Sequence, residues 1–284
     1  MNEIDRIENG ISLLDDVIDF EEIIDEYLSE NGLDYGEDGI DINPVEFRTD
    51  KATSIIERFA DIYDFNIITP ENGFCTLSLS TNKDVTAKKY LHRFLTYKNK
   101  TGGTGANADG SAILFEKISA NAVRNYLGDG SQIIQVGEGR ERLTEDVLQQ
   151  IALELNENSG VFNNLPTRAQ DDGVDFIVYK PFDDRDIGNV IILGQACVGT
   201  HYQNKKEIYQ RWKDEYITYA VKPPITLLSV VSYLDSTELK KIHSQFGNSI
   251  VFDRGRIMRY YDSSETALNV EIQSWIKENI SEDE

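Results

Sequence analysis

Apolar residues recur at helical spacing in several stretches of this chain, separated by short runs rich in Val and Ile. Ile11, Leu14, Val17, Ile18, Ile24 and Leu28 predict an exposed amphipathic helix over 11–28, with acids on its other faces. Shorter helices are expected at 51–60 and 85–94, and strands at 66–69 and 74–80 around Glu71-Asn72-Gly73. The period becomes clearer beyond residue 110. Ile113, Leu114, Ile118, Ala122 and Leu127 predict a helix over 111–127, and Leu143, Val147, Leu148, Ile151 and Leu155 one over 143–157. The β-branched runs 174–179 and 190–198 flank the turn sequence PFDDRDIGN and should pair as antiparallel neighbours. A short strand at 133–136, a helix at 205–219 stopped by Pro223-Pro224, a strand at 225–232, a helix at 236–246, a strand at 250–252 and a last helix at 266–276 complete the pattern. This is an α/β order, too irregular for a barrel and too weakly alternating for a doubly wound dinucleotide fold.

The glycine-rich run 101–110, TGGTGANADG, is the sharpest break in the pattern. It lacks the Gly-Lys-Ser/Thr ending of a phosphate loop and the three-glycine dinucleotide fingerprint, so it reads as a linker or the approach to a domain. It divides an N-terminal region, 1–100, from a second region, 101–284.

Charge sharpens that division. The 284 residues carry a formal charge of −22, but residues 1–50 hold seventeen acids against Arg6 and Arg48, a net −15 that leaves −7 for the rest. The acidity is local, and it reads either as a solvated face or as a surface that docks a basic partner. The first fifteen residues hold Glu3, Asp5 and Glu8, opposite in sign to a signal-peptide start, and no run is long and apolar enough to cross a bilayer. A cytoplasmic protein with no membrane partner is expected. Cys75 and Cys197 are far apart and the three histidines are scattered, which gives neither a disulfide framework nor a zinc knuckle. A cysteine hydrolase on Cys197 and His201 lacks an orienting third group.

The candidate chemistry gathers around the predicted hairpin. Asp171-Asp172-Gly173-Val174-Asp175 opens one strand, and Gly194-Gln195-Ala196-Cys197 closes the next. A strand-held carboxylate such as Asp175 suits a hard divalent cation bridged to a phosphate oxygen, and the Gln195 amide oxygen is a second donor near the end of the paired strand. Glu116, early in the helix 111–127, is the third. Each also has a plain structural reading: a turn cap for Asp171-Asp172-Gly173, a sheet-edge hydrogen bond for Gln195, a core residue for Cys197 and a solvated helix position for Glu116. Two basic tracts stand apart from these oxygens. Lys88 and Lys89 lie on the predicted helix 85–94, and Arg254, Arg256 and Arg259 follow the strand at 250–252; both suit phosphate contact.

Phe115-Glu116, the DGVD of 172–175 and the GQAC of 194–197 together resemble the motifs of the restriction-endonuclease-like PD-(D/E)XK superfamily, in its Mrr-like, defence-associated glutamine variant. The match covers roughly residues 108–215. The resemblance implies a central mixed sheet flanked by helices, here preceded by an acidic α+β region. It implies Glu116, Asp175 and Gln195 around Mg²⁺, or Mn²⁺ in its place, for phosphodiester hydrolysis of DNA in an antiviral defence system. A protein partner such as a helicase or other ATPase is implied as well. The departure is Cys197, which stands where the family has lysine. A thiol cannot supply that cation, and Lys205 or Lys206 is the expected substitute, Lys180 being a strand length away. Without a substitute, the same chain is a catalytically inactive, nuclease-like scaffold or regulatory subunit.

Overall fold

The computed structural model describes residues 17–19, 65–68, 76–79, 83–136, 143–160, 172–184, 186–199, 202, 210–221, 223–234, 236–246 and 249–280. Contacts divide the chain into two compact units, Thr101–Asp262 and a unit combining Met1–Lys100 with Ser263–Glu284. The C-terminal tail therefore groups with the first hundred residues.

The first unit holds a three-stranded antiparallel sheet of β1 (Val17–Asp19), β2 (Phe65–Ile68) and β3 (Thr76–Leu79), in the order β1-β3-β2. Val17–Asp19 is strand where the apolar period predicts helix. Its β-branched Val17-Ile18 pair suits a pleated ladder, and pairing with Thr76–Ser78 overrides the local period. The helix expected at 51–60 lies outside the described residues. Helix α1 (Lys83–Lys100) buries Leu91, Phe94 and Leu95 and runs farther than the sequence suggests.

The second unit is built on a five-stranded mixed sheet whose strands lie in the order Ser249–Phe252, Ile225–Val230, Val190–Cys197, Phe176–Lys180, Gln132–Gln135. Helix α2 (Ser111–Leu127) leads into β4 (Gln132–Gln135); helix α3 (Glu145–Glu154) and β5 (Asn158–Ser159) follow. The Thr144 side chain caps α3 by accepting from the Val147 N–H at 3.3 Å. Strands β6 (Phe176–Lys180) and β7 (Val190–Cys197) form the expected antiparallel pair. After α4 (Gln210–Asp214) and β8 (Ile217–Thr218), β9 (Ile225–Val230) lies parallel to β7. Helix α5 (Ser236–Phe246) then connects to β10 (Ser249–Phe252), parallel to β9. A parallel neighbour needs a crossover, and the segments carrying α4 and α5 provide the two.

Two further elements depart from the period. The helix predicted over 205–219 ends early: the Glu215 and Tyr216 N–H groups both close on the Arg211 carbonyl, and Ile217–Thr218 leaves to pair with Asn158–Ser159. The short helix α6 (Arg254–Tyr260) has no clear apolar stripe in the sequence, yet it forms because Asp253 caps it, accepting from the Arg256 N–H at 3.0 Å. Helix α7 (Thr266–Asn279) belongs to the first unit, where Trp275 meets Phe94 edge-on at 4.9 Å and Lys98 lies over the same indole at 5.2 Å.

The sheet of the second unit is covered on both faces. On one, α3, α4 and the turn after α4 bring Leu148, Ile151, Trp212 and Tyr216 against Ile177 and Leu193, and α5 brings Ile242 against Leu228 and Val230. On the other, α2 and α6 meet the sheet through Tyr126 and Tyr260, whose rings both contact Phe252. Each fully buried Leu, Ile or Phe contributes about 1.5–3 kcal/mol relative to exposure, so this two-sided packing fixes which strand residues face which helix.

Candidate active site

The turn before β6 is built for tightness. Asp172 and Gly173 both have positive φ, 48° and 84°, and the Asp172 carboxylate is pinned by the Tyr216 hydroxyl at 2.6 Å and by Arg211 at 3.7 Å. Burial, and then that bond to Asp172, push the Tyr216 phenol above its ordinary value. Asp171 lies outside the described residues. Asp172 is therefore a structural carboxylate that ties the turn to the end of α4.

Asp175 follows at a break in the strand's alternation. Its N–H donates to the Gly194 carbonyl at 2.9 Å, yet Gly194 is the residue that Phe176 opposes in the ladder. Two residues against one is a β-bulge. The packing agrees, since Val174 and Ile177, three positions apart, both reach the same core cluster. Asp175 and Phe176 then share the opposite face, the α2 face, where the Phe176 ring lies over Gly194. The Asp175 carboxylate turns across the ladder, and its Oδ2 accepts the Ala196 N–H at 2.7 Å.

Glu116 lies on the second turn of α2, whose last turn is tied to the far end of β6 by Lys180 Nζ donating to the Leu127 carbonyl at 3.3 Å. It is half-buried and shares a helix flank with Ser119, Ala120 and Val123, all buried.

Gln195 and Cys197 go the other way. Cys197 packs with Leu228, Val230, Leu234 and Ile242, and Gln195, two residues before it, shares that face, opposite Gly194 and Ala196. The buried Cys197 thiol donates to the Gly199 carbonyl at 3.4 Å. Asp175 thus lies on the α2 face of the sheet and Gln195 on the other. Lys205 and Lys206 lie outside the described residues.

The glycine-rich run is part of this end of the unit. It turns repeatedly on itself, with Ala106 N–H bonded to Gly103 O and Asp109 N–H to Gly105 O, before Gly110 opens α2. Gly103, at φ 74°, sits so close to Gly199 that an added Cβ would stand 2.7 Å from the Gly199 Cα. The linker suggested by composition is seated on the exit of β7.

The basic residues differ in exposure. Arg254 has no exposed surface, because it opens α6 inside the core, which places it away from any nucleic-acid surface. Arg256 turns back to the Val251 carbonyl, whereas Arg259 is exposed. Lys88 and Lys89 are half-buried on α1 in the first unit.

Magnesium commonly binds through one or two carboxylates, with water and substrate phosphate completing its shell. Asp175 and Glu116 fit that donor class. Among the described residues no group of three or more His, Cys, Asp or Glu could hold an ion. Sequence reasoning missed the bulge that turns Asp175, and missed Glu157, a buried carboxylate that accepts the Gly188 and Ala220 N–H groups. The only signal for the bulge was the Asp-Gly turn just before it.

No helix among the described residues is long and apolar enough to cross a membrane. No protein-family model and no curated protein matches the chain. Among solved structures it is similar to the MspJI restriction endonuclease in complex with a 27-mer oligonucleotide, at 14% identity and a TM-score of 0.32. The similarity covers 64% of this chain and 36% of that one, so the chain spans little more than a third of that structure's length.

Proposed function

We propose that this chain is a divalent-metal-dependent nuclease acting on DNA, with Asp175 as its principal metal-holding carboxylate and Glu116 as the second. The observation that carries the reading is the Asp175 bulge: a carboxylate held at the sheet end by the Ala196 N–H. A carboxylate fixed by a backbone donor is preorganised, which a hydrolytic metal site requires. When bound, Mg²⁺ or Mn²⁺ would neutralise phosphate charge and acidify a water. Asp175 and Glu116 would hold it, and Lys205 or Lys206 would supply the cation that Cys197 does not. Lys88, Lys89 and Arg259 are the basic residues proposed to meet the phosphate backbone. A cytoplasmic antiviral role with a helicase or other ATPase as partner completes the proposal, on the strength of the sequence resemblance. Incubation of the protein with plasmid, linear and single-stranded DNA tests it: cleavage that needs Mg²⁺ or Mn²⁺ and stops with chelator is expected, and metal-independent or absent cleavage contradicts it.

One observation favours a second reading, a non-catalytic nuclease-like subunit. Cys197 lies in an apolar cluster where the family has lysine, and Gln195 shares its face rather than that of Asp175. On this reading DNA or partner binding is indifferent to metal and to the Asp175 charge.

A further inference from the structure

Of the eight large apolar side chains exposed among the described residues, six lie at the sheet end opposite Asp175: Leu153, Phe182, Ile187, Val190, Val221 and Ile225. Val190 and Ile225 begin the parallel strands β7 and β9, whose other ends carry Cys197 and Val230. The others belong to three segments that polar bonds hold together. Asn189 donates to the Leu155 carbonyl at 2.8 Å and accepts the Phe182 N–H at 3.1 Å, joining the end of α3 to both sides of the β6–β7 turn. Glu157 accepts Gly188 N–H and, at 2.8 Å, Ala220 N–H, adding the segment before β9. A Cβ placed on Gly188 would stand 3.9 Å from Val221. These side chains are 37–70% exposed although the backbone beneath them is fixed by buried polar groups. A cluster of large apolar groups on a rigid base is what a docking surface looks like, whereas scattered single exposures need no explanation.

Its charge selects the occupant. Glu154, Asp183, Asp184 and Asp186 are exposed around the apolar groups, against Arg185 and Lys222 in the same loop sequences. An acidic rim repels a second copy of a chain with charge −22, and it repels nucleic acid and anionic lipid. We infer that this end of the sheet docks a protein partner presenting an amphipathic segment, apolar at its centre and ringed by Lys and Arg. The surface is separate from the Asp175 end, so docking leaves that end open.

A synthetic amphipathic helix of leucine and lysine, and its glutamate-for-lysine twin, titrated into the full chain by fluorescence anisotropy, test this. The lysine peptide is expected to bind, to weaken with salt, and to lose about tenfold or more in affinity in the double variant Phe182→Ser with Ile187→Ser. The triple variant Asp183→Asn, Asp184→Asn, Asp186→Asn, which keeps the apolar groups, should weaken the salt dependence and lose part of the affinity. Equal binding to wild type and both variants overturns the proposal by locating the peptide elsewhere on the acidic chain. Concentration-dependent dimerisation, or adsorption to lipid vesicles, that the Phe182/Ile187 variant abolishes would also overturn it, by making the occupant a second copy or a membrane.

Discussion

The Asp175 carboxylate and the Ala196 backbone amide stand 2.7 Å apart across the β6–β7 pair, a side-chain bond at the place where the Asp175 bulge interrupts the ladder. The bond has a structural consequence independent of catalysis. Asp175→Ala removes the acceptor and leaves a backbone donor without its partner, at a cost of about 1–3 kcal/mol; Asp175→Asn keeps an oxygen for it and should cost less. Urea unfolding of the two variants checks the order, and equal losses would show that the bond is not what fixes the bulge.

Gly194 is required by packing rather than by backbone freedom. A Cβ there would stand 2.1 Å from Phe176 Cε2, so Gly194→Ala must displace the ring. A loss of about 1–3 kcal/mol is expected from this overpacking. Adding Phe176→Leu should recover part of it, giving a non-additive double-mutant cycle. Additive losses would separate the two residues.

Gly103→Ala should destabilise the second unit by more than about 1 kcal/mol, because it combines a left-handed φ with a backbone clash at Gly199. A thermal or urea midpoint left unchanged would return the glycine-rich run to the status of a linker.

Alkaline pH should weaken the fold. Burial, with Asp172 adding to it, raises the Tyr216 phenol above its ordinary 10.0, and burial with Glu157 nearby raises Tyr219 further above the same value. A raised folded-state pKa contributes stability that is full below pH of about 10 and is lost as pH climbs past it, because the unfolded chain releases the proton first. Tyr216→Phe should flatten that decline while costing about 1 kcal/mol at neutral pH through the lost Asp172 bond. Tyr219→Phe should flatten it at little or no neutral-pH cost, since the buried Tyr219 hydroxyl has no hydrogen-bond partner among the described residues. Unfolding midpoints across the alkaline range check both; an unchanged slope in both variants would contradict the assignment.

The strongly periodic elements were legible in the sequence. Helices 111–127 and 236–246 lie where the pattern puts them, and the β6–β7 pair follows from β-branched runs around a turn sequence. Elements decided by distant partners were not. Val17–Asp19 and Ile217–Thr218 are drawn into strands by pairing with Thr76–Ser78 and Asn158–Ser159, which no local window contains. At the candidate site, strand period alone cannot detect the inserted residue that turns Asp175 with Phe176, nor the side of the sheet that α2 covers. Gln195 was expected beside Asp175 because both lie near strand ends; alternation along β7 sends it with Cys197 instead. Arg254, one of three clustered guanidinium groups in the sequence, is interior because Asp253 starts a helix there.

Asp175→Asn is the most direct test of the central proposal, because it removes the carboxylate charge while keeping an acceptor for Ala196. Cleavage of DNA by wild type and Asp175→Asn should be compared at equal folded concentration with Mg²⁺ and with Mn²⁺. The proposal predicts metal-dependent cleavage by wild type and a loss of about a hundredfold or more in the variant, the scale expected when a preorganised electrostatic group is removed. Equal cleavage by both proteins would contradict it.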